Sequence, residues 1–135
     1  MLMIAAFFSF STHAQQSLFG GEQIVSPEIH DDNSVTFRVN APDAGEVKLS
    51  GEWMPSEGWT PGSVAMQKGE NGVWSFTTEP LEPELYSYSF NIDGFRTTDP
   101  NNPFIVRDVA SVMNIFIVGG EQADLYKVND IPHGT

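Results

Sequence analysis

Trp53 and Trp59 stand in a stretch, Glu52 to Gly62, that is rich in proline and glycine and lacks regular apolar alternation. Aromatic rings in such a loop, outside the positions a core would claim, can stack on the C–H face of a pyranose. Neighbouring amides and carboxylates can then hydrogen-bond its hydroxyls. The same rings can also cap the end of a hydrophobic core, and the residue types alone leave both roles open. Other chemistry-bearing residues form weaker sets. His30-Asp31-Asp32 carries metal-ligating atoms, but adjacent residues on a strand-to-turn segment point in different directions, and a solvated turn accounts for them. Asp99, Asn101 and Asn102 offer oxygen ligands without the spacing of a calcium loop, so an Asx turn is their ordinary role. His133 and Asp130 would need a nucleophile, and the sequence holds no G-x-S-x-G elbow. It holds neither G-x-G-x-x-G nor G-x-x-x-x-G-K-[ST] either. The reading therefore assigns no catalytic residue, no metal site and no cofactor.

The elements that must position these residues are strands. Ser34 to Asn40 alternates, with Val35, Phe37 and Val39 on one face and Thr36 and Arg38 on the other, between turn-forming Asp31-Asp32-Asn33 and Ala41-Pro42-Asp43. Glu46 to Gly51 repeats the pattern with Val47 and Leu49 inward, and Val64 and Met66 mark a short strand. Asn71-Gly72 predicts a hairpin into Val73 to Thr78, where Trp74 is a core residue. Tyr86, Tyr88, Phe90 and Ile92 share one face of Leu85 to Ile92, the clearest strand, and are expected to be buried. Asp93-Gly94 turns the chain into Phe95 to Thr98, and Asp99 to Phe104, with two prolines and two asparagines, is a loop. Val112 to Val118 is apolar on both faces, as a strand covered on both sides would be. Short strands between turn signals, with no useful helical period, predict an all-β sandwich of about seven to eight antiparallel strands.

With 135 residues and no cysteine, the chain suits one domain folded without disulfides or thiolate metal sites. Eighteen acidic residues against six basic ones give a net charge of −12. That field repels phosphate backbones and anionic lipid headgroups, excluding nucleic acid and membrane surfaces as partners, but it does not penalise a neutral ligand. The apolar run Leu2 to Phe10, followed by Thr12-His13-Ala14, predicts a signal peptide over residues 1–14 and a secreted or periplasmic protein. Residues 15–24 are then a lead-in, 25–118 the sandwich, and 119–135 a linker from which Leu125 and Tyr126 can dock back.

The quoted strands and turns carry a family resemblance. Val35-Thr36-Phe37-Arg38-Val39-Asn40-Ala41-Pro42, Val47-Lys48-Leu49-Ser50-Gly51-Glu52-Trp53, Gly72-Val73-Trp74, Pro80-Leu81, Tyr86-Ser87-Tyr88-Ser89-Phe90-Asn91-Ile92-Asp93-Gly94 and Asp99-Pro100-Asn101-Asn102-Pro103 occur in the order of a family 48 carbohydrate-binding module, which the chain resembles over residues 25–118 and which implies an early-set, immunoglobulin-like β-sandwich. The flanks Ser17-Leu18-Phe19-Gly20-Gly21, Asp124-Leu125-Tyr126-Lys127-Val128 and Ile131-Pro132-His133-Gly134-Thr135 are similar to those of secreted feruloyl or acetyl-xylan esterases, in which such a module precedes an α/β-hydrolase domain. The resemblance implies a partner in that domain, following Thr135 in a longer chain. It also implies ligand positions at Ser89, Arg96 and Asn114, of which only Asn114 keeps the residue type of glycogen-binding members. Losing a tryptophan platform at Arg96 and a lysine at Ser89 argues against an α-glucan, although a guanidinium can still stack and donate.

The expected ligand residues are thus Trp53, Trp59, Arg96 and Asn114, and the expected partner is a polysaccharide, xylan in preference to α-glucan. Two roles follow for a non-catalytic module: holding an attached esterase near its polysaccharide, or packing on that esterase and shaping it without sugar affinity. Arg96 and Ser89 in place of the family's residues favour the second, as does the doubly apolar Val112–Val118, with Phe116 on the Asn114 side as the expected contact.

Overall fold

The alternation of Val35, Phe37 and Val39 becomes strand β2 (Val35–Asn40) in a computed structural model that describes residues 23–56, 58–120 and 123–126. All three side chains are buried. With β1 (Glu28–Ile29), β6 (Val73–Thr77) and β5 (Gln67–Lys68), β2 forms a four-stranded sheet in the order β1-β2-β6-β5. The second sheet has six strands. β4 (Ser63–Ala65), β3 (Val47–Gly51), β7 (Leu85–Ile92), β10 (Val112–Ile117) and β9 (Ile105–Arg107) lie side by side in that order, and β8 (Phe95–Thr97) pairs with β7. All pairings are antiparallel. The fold is the predicted two-layer sandwich, although the strands are shorter and more numerous than the sequence implied.

Two differences have local causes. The Val64–Met66 segment switches sheets: β4 pairs with β3, β5 pairs with β6, and Met66 passes between them, buried, with its N–H on Val47 O at 2.8 Å. β9 was not legible because all of its side chains stay exposed, so no alternation marks it. The Asp93-Gly94 turn is as read. Both residues take positive φ (49° and 90°), and Asp93 Oδ1 accepts hydrogen bonds from Gly45 N and Glu46 N at 3.0 and 2.8 Å. Gly72 is required at its turn, since its φ is 79° and an added Cβ would lie 2.7 Å from Pro42 Cβ.

An aromatic cluster fills the space between the sheets. Phe37 lies 4.7 Å from Tyr88 and 5.4 Å from both Trp53 and Phe116 by ring centroids. Beside it runs a buried polar network that fixes the two-proline loop. Asp99 Oδ2 accepts from Ser26 Oγ (2.5 Å) and the Tyr88 hydroxyl (2.9 Å), and Oδ1 from Asn101 N (2.8 Å). Asn102 Nδ2 donates to the Tyr88 hydroxyl and Ile115 O, both at 3.0 Å, while Asn102 Oδ1 accepts from Phe104 N at 2.9 Å. Burial, with the Asp99 carboxylate adding to it, holds the Tyr88 phenol well above its ordinary range. These contacts make Asp99, Asn101 and Asn102 an Asx-turn system, as expected. Among the described residues the tail forms a 3-10 turn, Ala123–Tyr126, with Ala123 fully buried and Tyr126 exposed. Residues 1–14, the flank Ser17–Gly21, Asp130 and His133 lie outside the described residues.

Candidate functional site

The outer face of the six-stranded sheet is polar where β3, β7 and β8 meet. Cross-strand partners project to the same side of a sheet, so Ser50 with Ser89, Lys48 with Asn91, and Asn91 with Arg96 face away from the aromatic core. Three side chains roof the β7 serines. Arg96 Nε donates to Ser89 Oγ at 3.0 Å, Glu52 Oε2 accepts from Ser87 N at 2.8 Å, and Ser87 Oγ lies 3.7 Å from Met113 Sδ. Both serines are consequently buried although they lie on the outer face.

Residues 52–56 and 58–62 rise beside this floor and border a groove of about 500 Å³. Trp59 and Arg96 both line it, with Glu52, Ser87 and Met113. Trp59 is 104% exposed, so its ring is free to receive a ligand. An open indole, a guanidinium, a carboxylate and hydroxyls together offer one stacking surface with donors and acceptors, a set suited to a polyhydroxylated ring.

The other two expected ligand residues are corrected by their surroundings. Trp53 is half-buried in the aromatic cluster, stacked on Phe37 at an interplanar angle of 9° and edge-on to Tyr86 and Phe116. It lies against Gly51, where a Cβ would meet the ring at 2.1 Å, so it caps the sandwich. Asn114 is 0% exposed. Its Oδ1 accepts from Asp99 N at 2.6 Å and its Nδ2 donates to Asn102 O at 2.9 Å, which leaves no free group for a ligand. Phe116 shares that inward face and packs against Tyr86 and Tyr88, mostly buried, and reaches the surface only in the lining of an apolar groove. The outward neighbour, Met113, reaches the Trp59 groove instead.

Glu52, Ser87 and Met113 line the groove without having been singled out in the sequence, and for Met113 the reason is identifiable. Met113, Ile115 and Ile117 alternate with Asn114, Phe116 and Val118, and apolar residues on both faces hide which face is inward. The usable signal was Asn114 itself: a polar residue in an apolar strand, near a loop whose backbone groups need partners. His30 and Asp32 behave as turn residues, His30 Nε2 meeting Thr36 Oγ1 at 2.8 Å and Asp32 Oδ1 accepting from Ser34 N at 2.9 Å.

A second groove, about 490 Å³ and largely apolar, opens between β1, at the edge of one sheet, and the Ile115–Ile117 end of β10 in the other. Val25, Ile29, Phe104, Ile115 and Ile117 line it.

Comparison with known proteins addresses the family and the fold. Residues 22–105 match the family described as carbohydrate-binding module 48 (isoamylase N-terminal domain). An endo-1,4-beta-xylanase/feruloyl esterase of Xylanibacter ruminicola is 39% identical over 111 residues, which cover 81% of this chain and 14% of that relative. Among solved structures, the pullulanase of Anoxybacillus sp. LM18-11 superposes with a TM-score of 0.52 at 21% identity, over 88% of this chain and 16% of that one. The catalytic module of the multi-modular glycogen-degrading pneumococcal virulence factor SpuA gives 0.53 at 18% identity, over 75% and 17%. At these identities the two structures speak to the fold alone.

Proposed function

The chain belongs to the carbohydrate-binding module 48 family, and from that premise we propose that it grips a plant cell-wall polysaccharide, xylan, in the groove between the Trp59 loop and Arg96. The carrying observation is Trp59, a fully exposed indole in the same groove as Arg96 and Glu52. Xylan is favoured over an α-glucan by the 39% identical relative, whose name joins a xylanase to a feruloyl esterase. The chain spans only 14% of that relative, so an esterase domain following it in one polypeptide belongs to the same proposal. In that setting the module raises the concentration of substrate around the tethered catalytic domain. The apolar run ahead of Ala14 supports work outside the cytoplasm.

Affinity electrophoresis of the chain in gels containing xylan, glycogen or no sugar tests this reading. Covering one indole face removes on the order of 80 Å² from water, worth about 2 kcal/mol. Retardation on xylan should therefore weaken roughly 30-fold in Trp59→Ala. Equal mobility in all three gels would overturn the proposal.

A second reading draws on the apolar groove between β1 and β10: the module packs on its neighbouring catalytic domain and shapes it without holding sugar. It predicts no retardation on any polysaccharide, with Trp59→Ala migrating like the parent.

A further inference from the structure

Six basic residues serve this chain, and most are spoken for. Arg38 pairs with Glu28 at 2.6 Å and Lys48 with Glu46 at 3.1 Å. Lys68 donates to Pro42 O at 2.6 Å and sits over the Trp74 ring. Lys127 lies outside the described residues. Arg107 is exposed on the edge strand β9 and lines neither main groove. Arg96 differs. Among the described residues it belongs to no ion pair within 4.0 Å, and its Nε is held by Ser89 Oγ, which orients the guanidinium while its terminal nitrogens are in none of the described hydrogen bonds. Asp108 is near enough to feel its charge, but that carboxylate is tied to Ala110 N and Ser111 N at 2.7 and 2.6 Å.

Arg96 also stands at a junction. The Trp59 groove and a second depression of about 380 Å³ share Ser50, Pro61 and Arg96, and a third depression, lined by Thr97, Thr98, Ala110, Ser111 and Val112, shares Arg96 alone. An unbranched chain needs one path across a sheet, whereas a branched chain needs a side path at the branch point. The groove is polarised as well. Glu52 is anchored at Ser87 and Arg96 at Ser89, so the negative and positive groups are rooted about 7 Å apart along β7.

We propose that Arg96 selects polysaccharides bearing uronic acid branches, the backbone lying over Trp59 and the branch carboxylate meeting the guanidinium; this rests on the sugar-binding reading above. A planar guanidinium suits a carboxylate through paired N–H donors. The net charge of −12 opposes a densely anionic polymer, while a largely neutral chain with sparse carboxylates is repelled little beyond a Debye length of about 8–10 Å.

The test compares affinity of the intact chain for 4-O-methylglucuronoxylan and for the same polymer after carboxyl reduction, at low and high salt. The acidic polymer should bind about 10-fold tighter at low salt, with the advantage shrinking as salt rises. Arg96→Gln should bring the ratio of the two affinities to one, even where both fall because Arg96 lines the groove, and Arg96→Lys should keep part of the difference. Equal affinity of the parent for both polymers overturns the inference and leaves the sugar site standing. Loss of the difference in Lys48→Gln or Arg107→Gln, but not in Arg96→Gln, also overturns it. Binding to neither polymer removes both readings.

Discussion

Replacing Asn114 by alanine should cost stability and leave sugar affinity per folded molecule unchanged. The side chain is 0% exposed, and its amide bridges Asp99 N at 2.6 Å and Asn102 O at 2.9 Å. Truncation strands one buried N–H and one buried C=O, at about 1–3 kcal/mol each, and leaves a small cavity. A total near 4 kcal/mol is a large part of the 5–15 kcal/mol typical of a domain. With a urea m-value of about 1.5–2 kcal/mol/M, the unfolding midpoint should fall by roughly 2–3 M. Urea denaturation followed by tryptophan fluorescence measures the shift, and Asn114→Ser provides a milder variant if alanine does not fold. Met113→Ala on the outward face should show the opposite pattern, near-parental stability with weakened binding. An Asn114 variant as stable as the parent but impaired on xylan would refute the argument that this amide is internal.

Trp53→Ala should destabilise the fold by about 3 kcal/mol, because the ring is packed on Phe37 and Phe116, yet its folded fraction should still be retarded on xylan; loss of binding at unchanged stability would return Trp53 to the ligand site. Alkali should unfold the domain through Tyr88. Its phenol titrates higher in the folded state than in the unfolded chain, so its contribution is fully present below about pH 10 and is lost as pH rises above that value. Urea midpoints measured from pH 8 to 11 should fall beyond about pH 10, and Tyr88→Phe should flatten that fall; an identical slope in the variant would contradict the linkage.

Where one face of a strand was apolar and the other polar, the sequence was legible. Val35, Phe37, Val39, Val47 and Leu49 are buried as their spacing requires, and Asp93-Gly94 turns as its residue types demand. The loop character of Trp59 was also enough to place it outside the core. The same argument failed for Trp53, because a loop that folds over a sandwich end presents some rings to solvent and others to the interior, and local composition does not distinguish them. Asn114 was assigned to the ligand site through the family position it occupies, and that position does not disclose that the side chain here is buried. Its physical role is to satisfy the backbone of a proline-rich loop that has no ladder of its own. Arg96 was found only through the family position it occupies. What the chain itself could not disclose was its holding contact with Ser89, which arises from pairing across β7 and β8.

The most direct test of the account is amide and indole chemical-shift mapping of the chain titrated with xylohexaose. Perturbations should centre on the Trp59 indole, Ser50, Ser87, Ser89, Arg96 and Met113, with Trp53 and Asn114 changing little. Shifts confined to Val25, Phe104, Ile115 and Ile117, or no shifts at saturating sugar, would contradict it.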